Sequence, residues 1–145
     1  MQFETFSDEK FSATLMSSDN LKVLFVYISK GVNWEKFIKV LDSIINDNNR
    51  PMAIMGDVNF DPNEDNPPLK QYMIQRKFSQ LVKSPTHDCG RLLDLIYVND
   101  LLLIKNPSCS QRPTYYSDHD IITLHVCNDW AMSIHIIMYY YLKES

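Results

Sequence analysis

Two kinds of hydrophobic pattern divide this chain. Leu21–Ser29 carries Val23, Leu24, Phe25, Val26, Tyr27 and Ile28 without a break, a run of β-formers that predicts a buried strand. Gly31 ends it. Asn33 then stands where a helix cap belongs, with Glu35 in the first turn. Trp34, Phe37, Ile38, Leu41, Ile44 and Ile45 follow at helical spacing on one face, which predicts a helix packed on a sheet. After a turn at Asp47–Pro51, Met52–Gly56 predicts a short buried strand running into Asp57-Val58-Asn59-Phe60-Asp61. Pro62–Pro68 predicts a loop, Leu69–Phe78 a helix and Gln80–Val82 a brief strand. Pro85–Arg91 predicts a further loop, and Leu92–Val98 a strand that holds one acid, Asp94, among apolar neighbours. Asn99-Asp100 predicts a turn, and Leu101–Ile104 an edge strand. Ile121–Val126 alternates as a half-buried strand does. Residues 1–20 are mixed and predict short strands with turns. Strands alternating with two helices indicate an α/β layered fold.

Composition narrows the class. The chain has 145 residues, 45% of them hydrophobic and 22% charged, so it suits one small domain with one core. Its net charge is −4, which counts against a protein that grips a nucleic-acid backbone by charge alone. That charge is compatible with a phosphodiesterase whose clustered carboxylates hold a divalent ion. Three glycines leave no glycine-rich phosphate cradle. Cys89, Cys109 and Cys127 are widely spaced, form no zinc motif, and indicate a reduced intracellular protein. His87-Asp88-Cys89 offers a metal reading, but a turn with an incidental thiol is favoured over it. Met1-Gln2-Phe3-Glu4 opens no signal peptide. The apolar run Trp130–Leu142 is too short to span a bilayer, which takes about 20 residues.

Polar chemistry gathers at three strand ends. In Gly56-Asp57-Val58-Asn59, the carboxylate and the amide are two apart and share a side of an extended chain; the same residues also make a common Asx turn. Asp94 lies inside a buried strand, where an ionised acid needs a partner. His119 is one candidate; backbone amides or Arg91 are others. Ser117-Asp118-His119 places a histidine beside a carboxylate at the head of the Ile121–Val126 strand, a pairing able to do base or metal-site work near neutral pH.

Taken in order, these segments resemble the endonuclease/exonuclease/phosphatase superfamily of metal-dependent phosphodiesterases. The resemblance rests on Ile54-Met55-Gly56-Asp57-Val58-Asn59, on Ser84-Pro85-Thr86 with Gly90 and Leu93-Asp94-Leu95-Ile96-Tyr97-Val98, and on Tyr116-Ser117-Asp118-His119. Val26-Tyr27 resembles the strand end that carries a Tyr or His there. Gln80–Val98 is similar to retroelement endonucleases and to related domains beside transposon helicases. The resemblance implies a partial four-layered α/β sandwich of the DNase I-like type over residues 21–127. It implies hydrolysis of a phosphodiester, in DNA above all, with one Mg2+ or Mn2+ site. His119, oriented by Asp94, would assist attack on phosphorus or stabilise its charge. Asp57 would position or deprotonate water, and Asp118 would sit beside the metal. Tyr27 would lie near the phosphate, and Asn59, Thr86 and Arg91 would contact substrate. DNA is the implied partner. The implied context is a nuclear or cytoplasmic polyprotein with a reverse transcriptase or helicase, without a membrane.

The resemblance covers only the second half of the family's domain. The family's strand-end Asn and its principal metal-ligating Glu have no counterpart segment, and neither Glu4 nor Glu9 stands in a comparable strand. Ile28-Ser29-Lys30 replaces the usual turn after the tyrosine. Residues 1–20 read as an N-terminal remnant, and residues 128–145 as an unrelated apolar tail that either covers bare sheet or promotes association. A catalytically dead binding remnant is the alternative from a different class. A phosphatase of lipid or inositol phosphates is a third reading, disfavoured by Thr86–Val98.

Overall fold

The computed structural model describes residues 1–45, 50–127 and 133–137, with Cys127 and 133–137 as backbone alone. The turn expected at Asp47–Asn49 and the tail residues Trp130, Met132 and Tyr139–Tyr141 lie outside the described residues.

A six-stranded mixed sheet is the frame. It is built from β1 (Gln2–Ser7), β2 (Phe11–Ser17), β3 (Lys22–Ile28), β4 (Met52–Asp57), β5 (Ser79–Gln80) and β6 (Asp94–Val98), in the order β1-β2-β3-β4-β6-β5. Only β3 and β4 are parallel, and α1 (Trp34–Ile45) makes the crossover between them, as a parallel pair requires. The short strands expected within residues 1–20 are therefore β1 and β2, and β2 gives Phe11, Ala13 and Leu15 to the core.

Strand parity sorts the side chains between two faces. Phe11 and Ile28, Ala13 and Val26, and Leu15 and Leu24 are register partners on one face. Helix α1 covers that face: Phe37 meets Phe11 edge-on at 5.1 Å between ring centroids. Asn33 caps the helix as expected, its Oδ1 accepting from the Lys36 N–H at 3.2 Å. At the other end the buried Lys22 ammonium donates to the Ile44 carbonyl at 2.8 Å, a cation placed on a helix C-terminus. Helix α2 (Pro68–Gln75) lies beside α1, joined by the Tyr72 hydroxyl donating to Asp42 at 2.6 Å.

The opposite face meets a separate three-stranded antiparallel sheet, β7 (Ser108–Arg112), β8 (Ile121–Cys127) and β9 (Ser133–Ile137). Ile122, Leu124 and Val126 of β8 join the same core as the six-stranded sheet. The described residues thus form three layers: helices, six-stranded sheet, three-stranded sheet. Among them no helix is long and apolar enough to cross a membrane.

One expectation is corrected and one strand is new. Leu101–Ile104 is not an edge strand; Asp100–Leu103 is a short helix, α3. The reason is Asn99, whose Oδ1 accepts from Leu102 N–H at 3.0 Å as an N-cap, so the apolar run turns helical despite its β character. The same side chain accepts from Met52 N–H at 3.0 Å and donates to the Arg50 carbonyl at 2.9 Å, tying the end of β6 to the start of β4. Strand β7 was not expected at all, because its alternation is nearly all polar.

Gly56 sets the spacing of the central strands. Its φ is +147°, and a Cβ there would fall 1.9 Å from the carbonyl oxygen of Val26 on β3, its register partner. A side chain would force the parallel strands apart. Gly56→Ala is expected to lower the unfolding free energy by about 3 kcal/mol or more, combining clash with backbone strain. Gly31, at φ +81° with nothing within 4 Å of an added Cβ, carries the strain alone, and Gly31→Ala should lose only about 1–2 kcal/mol. Denaturant midpoints of the two variants check the contrast; equal losses would place no close approach at Gly56.

Candidate active site

One row of register partners crosses the six-stranded sheet: Ser7, Ser12, Tyr27, Asp57 and Asp94. Each pair is directly cross-strand, so these side chains share a face and stand about 5 Å apart. The face is the one turned towards the second sheet. Asp94 is wholly buried and Asp57 nearly so, and Tyr27 is half-buried.

The second sheet supplies the histidine. His119 Nδ1 lies 2.7 Å from Asp94 Oδ2, and its Nε2 lies 3.7 Å from Asp57 Oδ2 and 3.9 Å from Asp118 Oδ1. Asp94 as a carboxylate only accepts, so His119 Nδ1–H donates to it and Nε2 is left facing the other two acids. Of the partners open to Asp94 on sequence grounds, the structure selects His119. Asp57, Asp94 and His119 are close enough together to hold a metal ion, as are His87, Asp118 and His119.

Backbone bonds explain why His119 stands there. Thr86 Oγ1 accepts from the N–H groups of Leu93 and Asp94 at 3.1 and 3.0 Å. The Thr86 carbonyl accepts from Asp120 N–H at 2.7 Å, and the Asp118 carbonyl accepts from Asp88 N–H at 2.9 Å. His87 and His119 form a β-bridge. The loop before β6 is thereby zipped to the loop before β8. Gln111 on β7 adds a bond from Nε2 to Asp120 Oδ2 at 2.7 Å.

Electrostatics mark the same place. Burial first, and then the charge of Asp94, push Asp57 up to about 6, against the pull of His119 and of the Asn59 N–H. Burial of His119 opposes its charged form, but the hydrogen bond it donates to Asp94 and the charges of Asp94, Asp57 and Asp118 outweigh it, so its pKa rises above 6.5. Groups perturbed by burial and specific neighbours concentrate at functional sites.

The remaining expected site residues fall around this core. Asn59, at φ 55°, bonds Asp57 Oδ1 through its own N–H at 3.0 Å and donates its amide to the Ile28 carbonyl at 2.6 Å. Thr86 is 1% exposed and its hydroxyl faces the start of β6. Arg91 pairs with Asp65, and with Glu64 at 3.4 Å. Asp118 is the exposed member, its side chain 63% accessible. His87 was weighed on sequence grounds as part of a His87-Asp88-Cys89 metal group and set aside in favour of a turn. It lies 31 positions before Asp118 in the chain, yet its Nε2 is 3.0 Å from Asp118 Oδ2, and its ring meets His119 edge-on at 4.8 Å. The metal reading set aside for His87-Asp88-Cys89 was the signal that pointed to it, although its partners are Asp118 and His119.

No family model matches this chain, and no curated protein matches it. Among solved structures, the endonuclease domain of TRAS1, a telomere-specific non-LTR retrotransposon, is similar in fold, with a TM-score of 0.60 over 86% of this chain and 67% of that one at 11% identity. The chain has a retrotransposon-endonuclease-like fold.

Proposed function

We propose that this chain is a metal-dependent phosphodiesterase acting on DNA, of the retroelement endonuclease kind, working alone or within a larger polyprotein. The observation that carries the reading is the convergence of Asp57, Asp94 and His119, from three distant segments, at one end of two packed sheets.

A divalent cation suits the residues present. The buried Asp94 Oδ1 has no hydrogen-bond partner among the described residues, and Asp57 is ionised only against the resistance of burial and a neighbouring acid. Hard oxygen donors of this kind favour Mg2+ or Mn2+ over softer ions. Asp118, with Asp57 near it, would hold the ion, which when bound supplies Lewis-acid stabilisation of phosphate charge.

The chain's own residues divide the remaining work. Asp94 holds His119 in one tautomer and orientation, so that its protonated Nε2 donates to a phosphoryl oxygen as charge builds there. Asp57, ionised, takes the proton of an attacking water. The water oxygen bonds phosphorus as the P–O bond to the leaving strand breaks, and the leaving oxygen takes a proton from solvent. Tyr27 and the second amide proton of Asn59 face the phosphate. Strand ends fix these groups, which in-line attack demands.

No glutamate joins the cluster among the described residues; Glu4 and Glu9 are exposed. The family resembled uses a Glu as its principal metal ligand, so cleavage is expected to be slow. Loss of such an anchor removes several kcal/mol of stabilisation, on the order of several hundredfold in rate. The test is nicking of supercoiled plasmid in Mg2+ by the wild type, His119→Ala and Asp57→Asn. Slow nicking abolished by either substitution is expected. No nicking by a folded wild type would favour a binding module of the same fold, and rapid nicking would refute the weakness argued from the missing ligand.

The charge crowding also predicts a pH trend in the absence of metal. Asp57 has a folded pKa of about 6 against 3.8 unfolded, so the unfolded chain gives up this proton first and stability falls as pH rises between those values. The stability His119 gains from its acids is complete below 6.5 and is lost as pH rises through its higher folded pKa. The Asp57 decline is complete by about pH 6 and the His119 decline begins near 6.5, so between them stability falls from pH 5 to 8. Asp57→Asn should remove the first, raising stability at pH 7 by on the order of 2 kcal/mol. Denaturation curves at pH 5, 6, 7 and 8 read this, and a variant less stable than wild type at pH 7 would contradict it.

A further inference from the structure

His87 has a bonding arrangement that the mechanism above does not use. Its Nδ1 lies 3.0 Å from the backbone nitrogen of Cys89. A backbone N–H only donates, so Nδ1 is the acceptor and keeps its lone pair. In the uncharged ring the single proton is then on Nε2, the atom 3.0 Å from Asp118 Oδ2. That proton points at the carboxylate. The tautomer also decides between two roles for His87. Ligating a metal through Nε2 would need a lone pair where the proton sits, and would forfeit the Cys89 bond as well. His87 is built as a donor to Asp118, not as a ligand beside it.

Asp118 needs such a partner. Its side chain is 63% accessible, and its only other side-chain partner among the described residues is His119 Nε2 at 3.9 Å. An exposed carboxylate free to rotate makes a poor anchor for a cation, because binding must first order it. The backbone holds the donor itself in place. His87 N–H bonds the Arg91 carbonyl at 3.1 Å, Gly90 N–H bonds the His87 carbonyl at 2.9 Å, and Asp88 N–H bonds the Asp118 carbonyl at 2.9 Å. Gly90, at φ +86°, allows the tight turn that brings Cys89 N–H back onto the ring.

We infer that His87 is a positioning residue that fixes Asp118 as an oxygen donor for a divalent cation. This rests on the function proposed above, and deepens it at the same site. Partners of this kind, one step behind a metal ligand, typically account for 10–100-fold in metal affinity.

The test reads metal binding apart from cleavage. Mn2+ is titrated into the full chain and followed through the spin-resonance signal of the free ion, for wild type, His87→Ala, His87→Gln, Asp118→Ala and the His87→Ala/Asp118→Ala double variant. The expected result is Mn2+ affinity reduced about tenfold or more in His87→Ala. His87→Gln, whose amide donates from a similar reach, should recover most of the loss. In the Asp118→Ala background, His87→Ala should add nothing. Unchanged affinity in His87→Ala, or a full further loss in the double variant, overturns the inference, as does a wild type that binds no Mn2+ at millimolar concentration. A nitrogen–proton correlation spectrum of the wild-type imidazoles needs no variant, and the proton of uncharged His87 found on Nδ1 would also overturn it. Wild type that binds Mn2+ with an affinity dependent on His87 and Asp118 but does not nick plasmid would defeat the proposed cleavage and leave the role of His87 intact.

Discussion

Asp94 is the constraint from which the rest of the site follows. A carboxylate with no solvent exposure, in a strand whose other residues are core, is costly unless its charge and lone pairs are met. The fold meets one oxygen with His119, and meets the adjoining backbone with the hydroxyl of Thr86. Those two residues come from loops that precede different sheets, so satisfying Asp94 also fixes how the loops lie on one another. Asp57, next to Asp94 in register, is then held where its own charge is unwelcome. The cluster thus gathers groups that could hold a cation.

Much of the architecture was legible because its signals are local. The β3–α1–β4 crossover is written in a run of β-formers, a cap at Asn33 and an apolar stripe at helical spacing, and each does in the structure what its chemistry dictates. Where local signals conflicted, the reading failed. Leu101–Ile104 has strand composition, but a single amide at Asn99 decides for helix by capping Leu102 N–H. Strand β7 contributes only Cys109 to the core edge, and a polar edge strand leaves no hydrophobic period to find.

The site divides the same way. Asp57, Asp94 and His119 were legible as acids and a histidine at the ends of apolar strands, where the cost of burying charge makes a partner necessary. His87 was not, since its relation to Asp118 exists only through a β-bridge between distant loops. Thr86 and Arg91 were recognised as residues of the site region, but whether a side chain faces substrate, a backbone amide or a neighbouring loop acid depends on a few ångströms of loop path. No residue pattern encodes that on its own.

The separation of the two sheets has a consequence for the order in which the molecule is assembled. The six-stranded sheet holds both buried acids of the cluster, and the histidine that answers them lies 25 positions beyond Asp94, just before a strand of the other sheet. Closing a loop of that size is an entropic cost met before any return. A nascent chain with its first sheet folded and its second undocked would have Asp94 and Asp57 open to water, hydrated and without imidazole. Docking strips that water and completes the constellation in one event. The Asp57–Asp94–His119 cluster therefore exists only once the two sheets are packed together.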